Sequence, residues 1–104
     1  MSAGEQLQDV VRALPSVEAA RRLQALLRSV NAEIARRSGA GVTAAFVCEC
    51  LDRGCVEAVE APLAAFAVVA ATQKYFLVRP EHLDPLSDRI VRENGGYAVV
   101  ERAL

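Results

Sequence analysis

Three cysteines fall within eight residues, Cys48, Cys50 and Cys55, and a single histidine, His82, follows further along the chain. The spacing is C-E-C-x4-C. On an extended strand, residues two apart point to the same face, so Cys48 and Cys50 would share one side and Glu49 would take the other. The turn-like Asp52-Arg53-Gly54 would then bring Cys55 back towards that pair. His82 lies in a proline-bracketed segment, Pro80-Glu81-His82-Leu83-Asp84-Pro85. Three thiolates and one imidazole make a closed tetrahedral shell of the kind that holds structural zinc. Both ligand types are borderline-soft and match that ion. Zinc bound by Cys48, Cys50, Cys55 and His82 is therefore the expected chemistry. The pattern lacks the paired C-x2-C knuckles of the commonest zinc modules, so other readings stay open. The thiols can pack as small apolar groups. Cys50 and Cys55 can form a disulfide across the turn, or act as a redox pair. An iron–sulfur cluster is a further option.

The elements that must position these groups are legible from periodicity. Leu7, Val10, Val11 and Leu14 recur at helical spacing after a capping-box pattern at Ser2–Glu5. Pro15 interrupts, and Ser16 can cap a longer helix running to about Arg37. In it Leu23, Leu27, Val30 and Ile34, with Leu26 beside them, form an apolar stripe. Arg21, Arg28 and Arg36 fall on the opposite side, with Arg22 adjacent. Ser38-Gly39-Ala40-Gly41 reads as a helix stop and linker. Thr43–Leu51 and Cys55–Ala61 read as a β-hairpin. Pro62 suits the first turn of a helix over Leu63–Thr72 that is apolar nearly all round. Tyr75–Arg79 reads as a short strand. Asp84-Pro85 looks like a helix N-cap followed by proline, with Leu86, Ile90 and Val91 on one helical face, ending at Asn94-Gly95-Gly96. A hairpin turning at Asn94-Gly95 is the alternative there. Tyr97–Arg102 is a final strand.

The expected fold is α+β. N-terminal amphipathic helices over 1–38 precede a compact α+β zinc-binding domain over 42–104. Its small, mostly antiparallel sheet, a β-hairpin plus two short strands, is covered by two helices.

From about Phe46 to Arg102 the chain resembles a family of small uncharacterised proteins from high-GC bacteria. The residues that carry the likeness are Phe46-Val47-Cys48-Glu49-Cys50 with Cys55, then Tyr75–His82, then Ile90–Arg102. The abundance of alanine and arginine, with one lysine at Lys74, suits such an origin. The resemblance implies a metal-binding module and no particular activity. The chain departs from the family at the central helix, where Ala61-Pro62-Leu63-Ala64-Ala65-Phe66 replaces a more polar pattern. Such a helix is either buried all round or offers an apolar patch to a partner.

Composition narrows the function classes. With 104 residues the chain has room for one small domain, and such a domain gains from a metal staple. A net charge of −1 argues against coating nucleic acid. No apolar run is long enough to span a bilayer, and the N-terminus lacks a signal-peptide layout, which points to the cytoplasm. No nucleophile has a credible base, and no glycine-rich phosphate loop is present, so a non-enzymatic zinc-binding interaction or regulatory module is the first reading. A thiol redox sensor built on the same cysteines is the second, and a weak nucleic-acid binder using Arg21, Arg28 and Arg36 is the third. A homodimer or protein partner is expected on the N-terminal helix or the apolar central helix.

Overall fold

A computed structural model describes residues 17–39, 41–52, 54, 55 and 57–103. The expected helix around Leu7–Leu14, the Ser16 cap and Arg53 lie outside the described residues.

Helix α1 spans Val17–Ser38, with Glu18 in its first turn and Arg36 and Arg37 in its last, the arrangement that suits the helix dipole. Gly39 ends it in the left-handed region, φ 58°, which only glycine adopts without penalty. Strands β1 (Thr43–Val47) and β2 (Ala58–Pro62) pair antiparallel, with Phe46 opposite Val59. Pro62 closes β2 and caps helix α2 (Leu63–Ala70). Strand β3 (Tyr75–Val78) leads into a single 3₁₀ turn, Pro80–His82. Strands β4 (Asp88–Asn94) and β5 (Tyr97–Arg102) form the last hairpin. The second sheet is antiparallel in the order β3-β5-β4. The molecule is thus α+β, a helix followed by two small antiparallel sheets and a second helix.

The central strand explains the core. Tyr97, Ala98, Val99 and Val100 are all buried, as a strand covered on both faces requires. Phe46 from β1 stacks on Phe66 from α2 at a centroid distance of 4.9 Å, which joins the first sheet to its covering helix. α2 buries Ala65, Phe66 and Val69 and turns Ala64, Ala67, Val68 and Ala70 outward, so it is not enclosed on all sides and its outer face is apolar.

Three expectations are corrected. The segment after Asp84-Pro85 is not a helix. Asp84 does accept from the Leu86 N–H (2.9 Å) and the Ser87 hydroxyl (3.0 Å), but this closes one turn only. The chain then becomes β4, held by β-branched Ile90 and Val91 and by a fully buried Arg102–Asp88 ion pair at 2.7 Å. The hairpin between Asn94 and Tyr97 is the alternative that formed. Second, the first hairpin is not joined by a short turn. Regular pairing stops at Val47 and Ala58, and residues 48–57 make a long connection. Third, α1 buries its leucine stripe only in part. The fully buried positions are Ala20, Gln24 and Asn31; Leu23, Leu27 and Ile34 are half-buried, Ile34 packing on the core, while Leu26 stays 61% exposed and Val30 is also outward. That face lies roughly a quarter turn around the helix from the stripe. Hydrogen bonds choose it: the Asn31 amide accepts from Val47 N–H (2.8 Å) and donates to Val47 C=O (3.0 Å), extending the edge of β1.

Candidate metal centre

The long connection after β1 starts with Cys48-Glu49-Cys50, and these residues bridge the two sheets. Cys48 N–H donates back to Glu57 C=O at 3.2 Å, still in the first sheet, and Glu49 N–H donates to Leu77 C=O at 2.8 Å, in the second. The backbone is pinned from both sides. Cys55 returns after a turn in which the Asp52 carboxylate accepts from Gly54 N–H at 2.8 Å and Cys55 N–H donates to Asp52 C=O at 3.1 Å. His82 is delivered by the 3₁₀ turn, begun by Pro80 with its fixed φ and closed by His82 N–H donating to Arg79 C=O at 2.9 Å.

These four side chains converge. The three sulfurs and one His82 nitrogen all lie within 4.8 Å of one another, close enough to hold a metal ion. His82 Nδ1 stands 3.6 Å from Cys48 Sγ and 3.4 Å from Cys55 Sγ. Bond lengths of about 2.3 Å to sulfur and 2.0–2.1 Å to nitrogen set the edges of a tetrahedral zinc shell. Those edges are about 3.5 Å for S···N and about 3.8 Å for S···S. Both observed S···N separations fall at that edge length.

The surroundings suit a ligand set. With Nδ1 turned to the sulfurs, His82 Nε2 faces a Glu57 carboxylate oxygen at 3.4 Å. A carboxylate behind a ligating histidine fixes which nitrogen carries the proton. Arg79 holds that carboxylate at 3.0 Å and also pairs with Glu81. The Arg79 backbone N–H points at Cys48 Sγ, 3.3 Å away, a donor that stabilises negative charge on sulfur.

Cys48, Cys50 and Cys55 are free thiols, with no disulfide between Cys50 and Cys55. Burial pushes the Cys48 thiol above its usual range and takes that of Cys50 up to about 12. Desolvation favours the neutral form, and neither thiol becomes a reactive thiolate without a cation beside it.

The reverse side of the same extended segment holds a cluster that the sequence did not reveal. Glu49 is fully buried. Its carboxylate accepts from Arg28 Nε (3.2 Å), the Asn31 amide (3.0 Å) and Leu77 N–H (2.9 Å). Arg28 also donates to the carbonyls of Val69 (3.3 Å) and Tyr75. Arg102 donates to Glu49 C=O at 2.8 Å. Both guanidiniums sit over the Phe76 ring, Arg28 at 5.3 Å and Arg102 at 4.6 Å from its centroid. Arg28 therefore does not belong to a solvated arginine face. Arg36 and Arg37 share the Glu33 carboxylate, which breaks the expected ridge further. The only sequence hint of this cluster was the alternation that sends Glu49 away from its flanking cysteines.

No protein-family model, curated protein or solved structure matches the chain. Among the described residues, no helix is long and apolar enough to cross a membrane.

Proposed function

We propose that this protein is a structural-zinc module. Cys48, Cys50, Cys55 and His82 Nδ1 would be the ligands, with an interaction or regulatory role and no catalysis at the metal. The observation that carries this reading is the pair of S···N separations, 3.4 and 3.6 Å, at the edge length of a tetrahedral shell of three sulfurs and one nitrogen. Four protein ligands fill that shell and leave no position for water or substrate, which distinguishes structural from catalytic zinc. Glu57 behind His82 and the Arg79 N–H on Cys48 support the same assignment. The metal would staple the connection 48–57 to the turn carrying His82, where the regular hairpin has ended. A redox-sensor role is disfavoured by burial, which holds Cys48 and Cys50 protonated.

Elemental analysis of the purified protein tests the proposal, with about one zinc expected per chain. Cobalt substitution should give the visible bands of a tetrahedral thiolate site, and H82A should alter them. Protein that carries no metal, takes up no cobalt and melts identically with and without chelator would end this reading. Thiol labelling of the zinc-loaded protein separates the alternative: rapid modification of Cys50 would favour the redox role.

A further inference from the structure

The N-terminal half of α1 does not close onto the second sheet. Between them lies a cleft of about 1140 Å³. Arg28, Arg89 and Arg102 contribute to its walls, but each is matched by a carboxylate, from Glu49, Glu101 and Asp88 respectively. Two further lining cations, Arg21 and Lys74, have no ion-pair partner among the described residues. The cleft therefore carries a surplus of positive charge, although the whole chain has a net charge of −1.

A second, independent observation comes from Gln24. It also lines the cleft, is only 6% exposed, and its amide nitrogen is buried with no hydrogen-bond partner among the described residues. Buried donors in folded proteins are nearly always paired, and an orphan calls for an explanation such as a missing ligand. The cleft has an apolar side as well. The Phe76 ring lies in its wall, and Leu86, a large aliphatic group, stands at it 96% exposed.

We infer that this cleft binds a small organic anion, a carboxylate or phosphate monoester on an apolar body. Arg21 and Lys74 neutralise its charge, the Gln24 amide turns to donate a hydrogen bond to it, and Leu86 receives the apolar part. A guanidinium and an ammonium on one anionic head group make charge-assisted hydrogen bonds, the strongest polar contacts open to a solvent-facing cleft. None of the lining residues is among the four clustered around His82, so the inference stands whether or not zinc is the metal.

Phenyl phosphate, benzoate and inorganic phosphate, each titrated into the full chain and followed by amide chemical shifts, test it. Saturable shifts are expected around Arg21–Arg28, Lys74 and Arg102, and the tighter of phenyl phosphate and benzoate identifies the head group. The R21A/K74A double variant should weaken binding at least about tenfold, the size of one lost charged hydrogen bond. Gln24→Leu should weaken it severalfold without lowering the melting temperature, because it removes the orphan donor. No saturable binding of any of the three, or binding unchanged in R21A/K74A, overturns the inference. Equal affinity for inorganic phosphate and phenyl phosphate overturns the role of Leu86.

Discussion

Cys48-Glu49-Cys50 faces two ways, and the two sides solve opposite electrostatic problems. On one side Glu49 meets Arg28, Asn31 and the Leu77 N–H, and its charge is answered within the chain. On the other, three sulfurs and an imidazole crowd together. Burying charge is tolerable only with partners in place. The Glu49 side carries its own partners and folds as it stands. The cysteine side either keeps its protons or takes a cation. The same residues thus give one cluster that is independent of metal and one that answers to it.

Breaking the Glu49 side should have the largest effect. Glu49→Ala leaves Arg28 and the Leu77 N–H without their acceptor, and about 3–5 kcal/mol of stability should be lost in urea denaturation. The loss should persist in chelator-treated protein, since none of the carboxylate's partners belongs to the Cys3His group. A loss seen only in the metal-loaded protein would show that the two sides act as one unit.

Removing the metal should come next. Where free zinc exceeds its Kd a thousandfold, binding adds about 4 kcal/mol. Calorimetry with and without chelator should show the melting temperature fall accordingly. Loading the metal-free protein at pH 7 should release at least two protons per ion, because burial keeps Cys48 and Cys50 protonated until the cation arrives. Proton release measured in a weakly buffered indicator solution checks this.

Glu57→Gln sharpens the comparison more gently. The ligands remain, but the carboxylate behind His82 is gone, and zinc affinity should fall about 10–100-fold in competition with a chelating dye. The protein's stability without metal should barely change.

The last effect concerns pH and is absent near neutrality. In the metal-free protein, burial raises Cys48 and Cys50 above their ordinary 9.0, Cys50 to about 12. The folded state therefore holds protons that the unfolded chain has released. Its stability should fall as pH climbs from about 9 to about 12. With metal bound the thiols have already lost their protons, and this alkaline loss should vanish from melting curves recorded across that range.

The cysteines could be read from the sequence because they lie within one short segment, where strand alternation and a turn decide direction. His82 could be paired with them because it is the chain's single imidazole. The Glu49 cluster was hidden for the converse reason. Arg28 sits at a helical position that looks solvated, and its partners are 21 to 47 residues away. The segment from Asp84 misled because a capped first turn looks the same whether a helix or a single turn follows. The pairing with β5 and the buried Asp88–Arg102 pair, 14 residues apart, tip it to a strand.

Local order alone determined the α+β character, the glycine stop after α1 and the grouping of the three thiols. Each rests on side-chain period or backbone preference within a few residues. Folding in three dimensions decided which face of α1 turned inward, where the first hairpin opened, and that β4 was a strand. Those outcomes depend on buried charges and amides finding distant partners, and the worth of such a bond is set by burial that no short stretch of chain contains.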